Sequence, residues 1–361
     1  MTLKGHKKSV LLMGISQDNK YIVSISKDKV AKVWDILTGK LMLSLENRIG
    51  MFDIAKGGKL IFINSKGTKI KIWNLLTYEL IDTIVDNNLI ALALSYDGKY
   101  IICATSDMKI KVWEISTKRQ VKTFSIKEKK VIALEALHEG DYVLGGIMKK
   151  VARNALKVWQ ISIGRLVSTF NLKITDLLNF SRNLSYIVIG LKIGKLIKVF
   201  EAKTGNLVSS FNVDVDDIYE NSSFLAISPD NKFVFAGVSN KSIYMYELLT
   251  GERVRPFIGH TGAISFIIVS PDGKNLISAS KDKTIIIWEL LTGNIIRILK
   301  GHKKSVSCLR ISPDGNYIVS GSADTDLKIW DFKKEVICSY CGAEYEGKEE
   351  CPYCGGKVNN S

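Results

Sequence analysis

The sequence predicts an all-β protein in which one small four-stranded unit is repeated radially as a β-propeller. Three observations carry this expectation. Large aromatic residues recur at Trp34, Trp73, Trp113, Trp159, Phe200, Tyr246, Trp288 and Trp330, with gaps of 39, 40, 46, 41, 46, 42 and 42 residues. A fixed period in this range marks stacked copies of one unit. Turn signals such as SPDG and LTG cut each copy into short runs rich in Val, Ile, Tyr and Phe, which read as strands. A single sheet of this size cannot bury both faces, so neighbouring copies must cover it.

The last two copies define the order of elements. Strand a is SVSCLRIS, strand b is NYIVSGS, strand c is LKIWDF and strand d is NIIRILK. Tight turns separate a from b and c from d. Eight such units imply eight blades. A ring of seven, with the fifth unit (NFSRNLSYIVIGLKIGKLIKVFEAKTG) left out, is the alternative. The eighth unit lacks its own strand d. MTLK, which precedes Gly5 as IRILK precedes Gly301, supplies it in one reading, and KKEVI after Phe332 is the rival. Closure by the N-terminal strand would remove the exposed edges of an open array.

Three copies share one internal ruler. His6 to Trp34, His260 to Trp288 and His302 to Trp330 are each separated by 28 residues. Asp28, Asp282 and Asp324 stand six residues before the Trp, and Ser24, Ser278 and Ser320 stand four before the Asp. With the GH dipeptides and the Trp34-Asp35 and Trp330-Asp331 pairs, this pattern resembles the WD-repeat β-propeller family over about 330 residues. The resemblance implies that the His, Ser, Asp and Trp of each unit form one hydrogen-bonded network. An Asp beside one imidazole nitrogen fixes the tautomer, and Ser and the indole N–H satisfy the remaining partners. A catalytic Ser-His-Asp triad needs one copy open to substrate. Three copies, each ending in Trp, favour a structural role, and no catalytic residue is assigned. Units two to six drift: Gly67, Asp107, Arg153, Gly194 and Asn240 occupy the Asp position, and none of these units has the GH pair. Their blades are expected to rely on apolar packing.

The chain has 361 residues and a net charge of +15, with 51 Lys and Arg against 36 Asp and Glu. Lysine dominates the basic residues. Its ammonium is a hydrated point charge without the planar fork by which Arg reads bases and grips phosphate. The excess therefore favours solubility over nucleic-acid recognition. No run is apolar enough to span a bilayer and MTLKGHKKSV lacks a secretory pattern, so a cytoplasmic, monomeric propeller without membrane contact is expected. Cys103 and Cys308 lie alone in apolar strands, as core residues do.

The tail is different. Cys338 and Cys341 form one C-x-x-C pair, and Cys351 and Cys354 form a second, each followed by Gly. The tail resembles the zinc-ribbon family with a shortened spacer, which implies one structural zinc held by four thiolates and no open position for catalysis. The expected domains are 1–334, the propeller, and 335–361, the zinc-ribbon-like module.

If His and Asp meet, the d–a and b–c loops share one face, the top. Two loops there are longer than the unit requires. One carries Lys149, Lys150 and Arg153; the other carries Asp214, Asp216, Asp217 and Glu220. The units beside the seam add Lys7, Lys8, Lys27, Lys281, Lys303 and Lys304. Opposed basic and acidic sectors on this face are the candidate docking site for a protein or peptide. The WD-repeat resemblance implies a non-enzymatic scaffold that assembles protein complexes, with the ribbon as an accessory contact. The alternative is an RNA- or ribosome-associated factor that uses the basic surface and the ribbon.

Overall fold

A computed structural model describes residues 1–45, 49–54, 59–64, 68–86, 88–95, 98–125, 130–136, 142–148, 154–160, 165–172, 177–180, 185–191, 196–213, 225–238, 241–332, 336–337 and 344–345. All regular structure among them is β-strand. Apart from a two-stranded pair in the tail, the strands form eight four-stranded antiparallel sheets in chain order. In unit one the strands are Val10–Ile15, Tyr21–Ser26, Ala31–Asp35 and Leu41–Leu45, each hydrogen-bonded to the next. The fifth unit forms a sheet of its own from Leu177–Phe180, Tyr186–Leu191, Leu196–Glu201 and Leu207–Asn212.

The last sheet takes its outer strand from the start of the chain. Thr2 pairs with Lys328 and Leu3 with Leu327, antiparallel. The rival segment is used elsewhere: Val336–Ile337 pairs with Glu344–Tyr345. The innermost strand of unit one lies against those of units two and eight, so the first and last sheets are neighbours in a β-propeller arrangement.

The core is divided among the sheet junctions. Val10, Met13 and Trp34 of unit one pack with Cys308, Val319 and Ile329 of unit eight. Tyr246, Val234 and Leu248 of unit six pack with Val188, Ile197 and Val199 of unit five. Alternation along each strand sends one side chain into each neighbouring junction. Both faces are therefore covered, and central strands such as Tyr21–Ser26 are buried throughout.

Two irregularities repeat. Strand d carries an extra residue opposite the repeat aromatic: Trp34 pairs with Leu41 while Val33 pairs with Leu43, and Trp288 pairs with Ile295 while Ile287 pairs with Arg297. Seven sheets have this bulge. A second bulge opens strand a, where Val10 faces Ser26 and Leu12 faces Ile25. Bulges increase local twist and re-aim side chains, and here they recur at the outer and inner edges of the sheets.

Candidate functional site

Hydrogen bonds fix which loops share a face. Lys7 N–H donates to Asp28 Oδ2 at 2.9 Å, and Lys303 N–H donates to Asp324 Oδ2 at 2.7 Å, joining the d–a loop to the b–c loop. At the other end, Ile36 N–H donates to the Lys20 carbonyl at 2.8 Å, joining the c–d turn to the a–b turn.

Beneath the top loops the structure brings together all twelve residues of the three networks. In unit seven, His260 Nδ1 lies 2.8 Å from Asp282 Oδ2 and Nε2 lies 2.8 Å from Ser278 Oγ, which also accepts from Trp288 Nε1 at 2.8 Å. In unit eight the corresponding distances are 3.0, 2.8 and 2.8 Å for His302, Asp324, Ser320 and Trp330. In unit one they are 3.2, 2.8 and 2.9 Å for His6, Asp28, Ser24 and Trp34.

The donors and acceptors order themselves. A carboxylate only accepts, so Nδ1 carries the proton and Nε2 of the neutral ring accepts from Ser O–H. The relay runs from Trp N–H to Ser, to His, to Asp. Burial pushes all three imidazoles below their ordinary value despite the attraction of the adjacent Asp. Burial by itself would raise the carboxyls. Hydrogen bonds outweigh it: Lys7 N–H and Val30 N–H at Asp28, and Thr284 through both its hydroxyl and its N–H at Asp282, which is held at about 2. Ser24, Ser278 and Ser320 have 0% exposure. Each hydroxyl is engaged by Trp and His, so it has no access to a substrate as a nucleophile.

Unit three shows the network decaying. Asp107 keeps its position, but Cys103 stands where Ser would be. Hydrogen bonding from Thr105 and then Lys109 holds Asp107 at about 2, and Lys109 Nζ is 2.9 Å away. Lys111 Nζ, on strand c, reaches Asp86 in the d–a loop at 2.6 Å, so here the d–a loop is tied to strand c by an ion pair.

Lys7, Lys8, Lys27, Lys281, Lys303 and Lys304 are all exposed on the top of units seven, eight and one. Lys149, Lys150, Arg153, Asp214, Asp216, Asp217 and Glu220 lie outside the described residues, as do Cys338, Cys341, Cys351 and Cys354. Among the described residues no group of His, Cys, Asp or Glu is placed to hold a metal, and no helix is long and apolar enough to cross a membrane.

A propeller is expected to enclose a central channel, and its lining residues are the part that the repeat pattern does not reveal. A cavity of about 700 Å³ opens there, lined by Met13, Phe52, Ile267 and Ile311 together with Asp53 and Arg310. Asp53 Oδ2 accepts from Leu94 N–H at 2.8 Å and so bridges units two and three. Burial raises its pKa. Arg310 stacks over Phe266 at 5.2 Å. A lone charge inside an apolar strand, Asp53 in IGMFDI and Arg310 in VSCLRI, is the signal the sequence carries.

None of the curated proteins matches the chain. Among solved structures, the crystal structure of a computationally designed protein, Ika8, is similar with a TM-score of 0.70 and 26% identity, over 91% of this chain and 98% of that one. With 1869 matching chains among the solved structures, likeness of fold selects no partner. Residues 1–35, 80–114, 251–289 and 293–331 match the family model described as WD domain, G-beta repeat. The segment 80–114 starts on the outer strand Leu80–Val85 of one sheet and ends on Lys109–Glu114 of the next, so the sequence repeat is offset from the sheet by one strand. The chain thus carries segments similar to WD40 repeats, set in a β-propeller arrangement.

Proposed function

We propose that this chain is a non-enzymatic protein-interaction scaffold of the WD-repeat family, and that its eight sheets close one eight-bladed ring. The observation that carries the reading is the triple network. It commits three of the four histidines, with their Ser, Asp and Trp partners, to bracing loops beneath one face. What remains for recognition is a rigid scaffold with polar loops at its surface, and rigid scaffolds position binding loops. Complex assembly through the propeller faces follows, with the tail 335–361 as a separate contact module. The four tail thiolates suit one tetrahedral structural zinc. The protein is read as a cytoplasmic monomer.

The test is affinity capture with the tagged full-length chain and quantitative mass spectrometry, against a tagged protein of matched net charge. Specific, stoichiometric partners are expected. Recovery of nothing beyond the charge-matched control would overturn the scaffold reading.

The exposed lysines and the pI of about 9.3 favour RNA association as the second reading. Its signature is RNA affinity that falls steeply with salt.

A further inference from the structure

We infer that the top of units seven, eight and one is a preformed basic platform for an acidic, extended segment of a partner protein. This deepens the scaffold reading and rests on it.

Lys7 and Lys8 stand in the d–a loop of unit one, Lys303 and Lys304 in that of unit eight. The b–c loops add Lys27 and Lys29 from unit one and Lys281 and Lys283 from unit seven. All eight are exposed. Among the described residues none of their ammonium groups has a carboxylate partner. Asp28, Asp282 and Asp324 are turned inward to the histidines, which leaves the half-buried Asp326 as the one other carboxylate in these loops.

The loops are held from below. Lys27 N–H donates to the Ser9 carbonyl at 2.9 Å and Lys281 N–H to the Ala263 carbonyl at 2.9 Å. Ser26 Oγ donates to the Lys8 carbonyl at 2.7 Å, and Ser322 Oγ to that of Lys304 at 3.1 Å. The three units that retain the full network are therefore the units whose loops carry the platform. Bracing lowers the ordering cost of binding, which is the general benefit of preorganisation.

Lys29 and Lys283 have φ of 63° and 74°, in the left-handed region, which Gly or Asn adopts with less strain. Met108, Lys241 and Thr325 hold the same turn position in units three, six and eight, so the conformation belongs to the turn, and Lys29 and Lys283 count here as exposed charges.

The chemistry selects the occupant. Lysines are adaptable point charges that suit a series of carboxylates along an extended chain. Single-stranded nucleic acid is held by aromatic stacking as well as charge. No exposed Trp, Phe or Tyr occurs among the described residues of units seven, eight and one.

The experiment uses the full chain and a fluorescein-labelled peptide of alternating Glu and Ser, with a single-stranded RNA oligomer as the competing probe. The platform variant is K27S/K29N/K281S/K283N, and K7S/K8S/K303S/K304S tests the other loops. The control, K20S/K40S/K232S/K274S, removes the same number of exposed charges from the opposite face. Each platform variant is expected to lose peptide affinity by at least about tenfold, the scale of a few water-screened charge contacts, while the control changes less than about twofold. Replacing the left-handed lysines by Asn is expected to leave the thermal midpoint unchanged or higher, which separates loss of binding from loss of fold. Equal losses in control and platform variants, or RNA outcompeting the peptide, would overturn the inference. Capture of the same partners by wild type and platform variants would leave the scaffold standing without this platform, whereas capture of none by wild type would remove the scaffold itself.

Discussion

Ser307 Oγ donates to the Val10 carbonyl at 2.8 Å, a bond between residues 297 positions apart that stitches the last sheet to the first. The same hydroxyl lies 3.1 Å from the Gly321 carbonyl. Ser307 is the extra residue of its strand-a bulge, where Val306 faces Ser322 and Cys308 faces Gly321. Ser265 occupies the equivalent bulge in unit seven, but its buried hydroxyl has no partner among the described residues. Ser307→Ala is expected to destabilise the protein by about 1 kcal/mol, the usual net worth of one hydrogen bond. Ser265→Ala is expected to be neutral or slightly stabilising, because it removes a buried polar group that forms no bond. Urea denaturation of both variants checks this pair. Equal losses would show that the seam bond has no special weight.

Strand order and the three networks were legible because turn residues and the 28-residue spacing are local signals in the chain. The bulges were not. An extra Met42 or Ile296 in strand d reads as one more apolar residue, and only cross-strand pairing reveals it. The lining of the channel was hidden for a related reason: Asp53 and Arg310 meet one cavity through the arrangement of sheets far apart in sequence. The retained Asp107 of unit three was visible in the sequence. Its pairing with Lys109 instead of a histidine was not, because the missing GH pair leaves that carboxyl free to take a nearer partner.

The networks should behave as coupled units. Ser278→Ala strands both the Trp288 indole N–H and His260 Nε2 in a buried site, so a loss of about 2–4 kcal/mol is expected from two unsatisfied groups. His260→Ala alone leaves Asp282 with its bonds from Thr261 N–H at 3.0 Å and Thr284 N–H at 2.9 Å. The double variant should therefore cost less than the sum of the singles. A double-mutant cycle by urea denaturation measures the coupling, and strict additivity would contradict the relay.

Acid should weaken the fold in two stages. Burial lowers the folded-state pKa of His6, His260 and His302 below that of the unfolded chain. The unfolded state then binds more protons, so their stabilisation is complete above the unfolded value of about 6.5 and is lost as pH falls from there through the depressed folded values. The aspartates act lower. Their contribution is present above an unfolded value of about 3.9 and is lost towards the folded value, about 2 for Asp282. Urea midpoints measured from neutral pH to about pH 5 should fall for wild type and fall less for His302→Gln. Parallel curves would mean that general charge repulsion, not the imidazoles, sets the acid slope.

Gly251 ends the c–d turn of unit six with φ of 77°. A Cβ there would lie 2.4 Å from Cβ and Cγ of Phe211 in the neighbouring sheet. Phe211 in turn packs on Tyr246 at a ring separation of 5.4 Å. Gly251→Ala meets both backbone strain and a clash at the junction of units five and six, so a loss of about 2–4 kcal/mol is expected. Phe211→Ala removes the obstacle and should partly rescue Gly251→Ala relative to the sum of the single losses. Absence of rescue would place the whole effect in the turn.

Cysteine reactivity should divide the chain into its two parts. Burial pushes the Cys103 thiol up to about 12 and the Cys308 thiol up to about 11, so both are protonated and enclosed at neutral pH. A thiol reacts as its thiolate, and a buried one waits for unfolding. Cys338, Cys341, Cys351 and Cys354, if they hold one zinc as their spacing implies, are deprotonated and shielded by the metal. Native mass spectrometry should then give one zinc per chain. Iodoacetamide should modify none of the six cysteines in the intact protein, the four tail cysteines after a chelator, and all six only in denaturant. The chelator should leave the thermal midpoint of the propeller unchanged, since the propeller's networks contain no metal ligand set. Rapid alkylation of the tail without chelator, with no zinc in the spectrum, would remove the metal from this account while leaving the propeller as it stands.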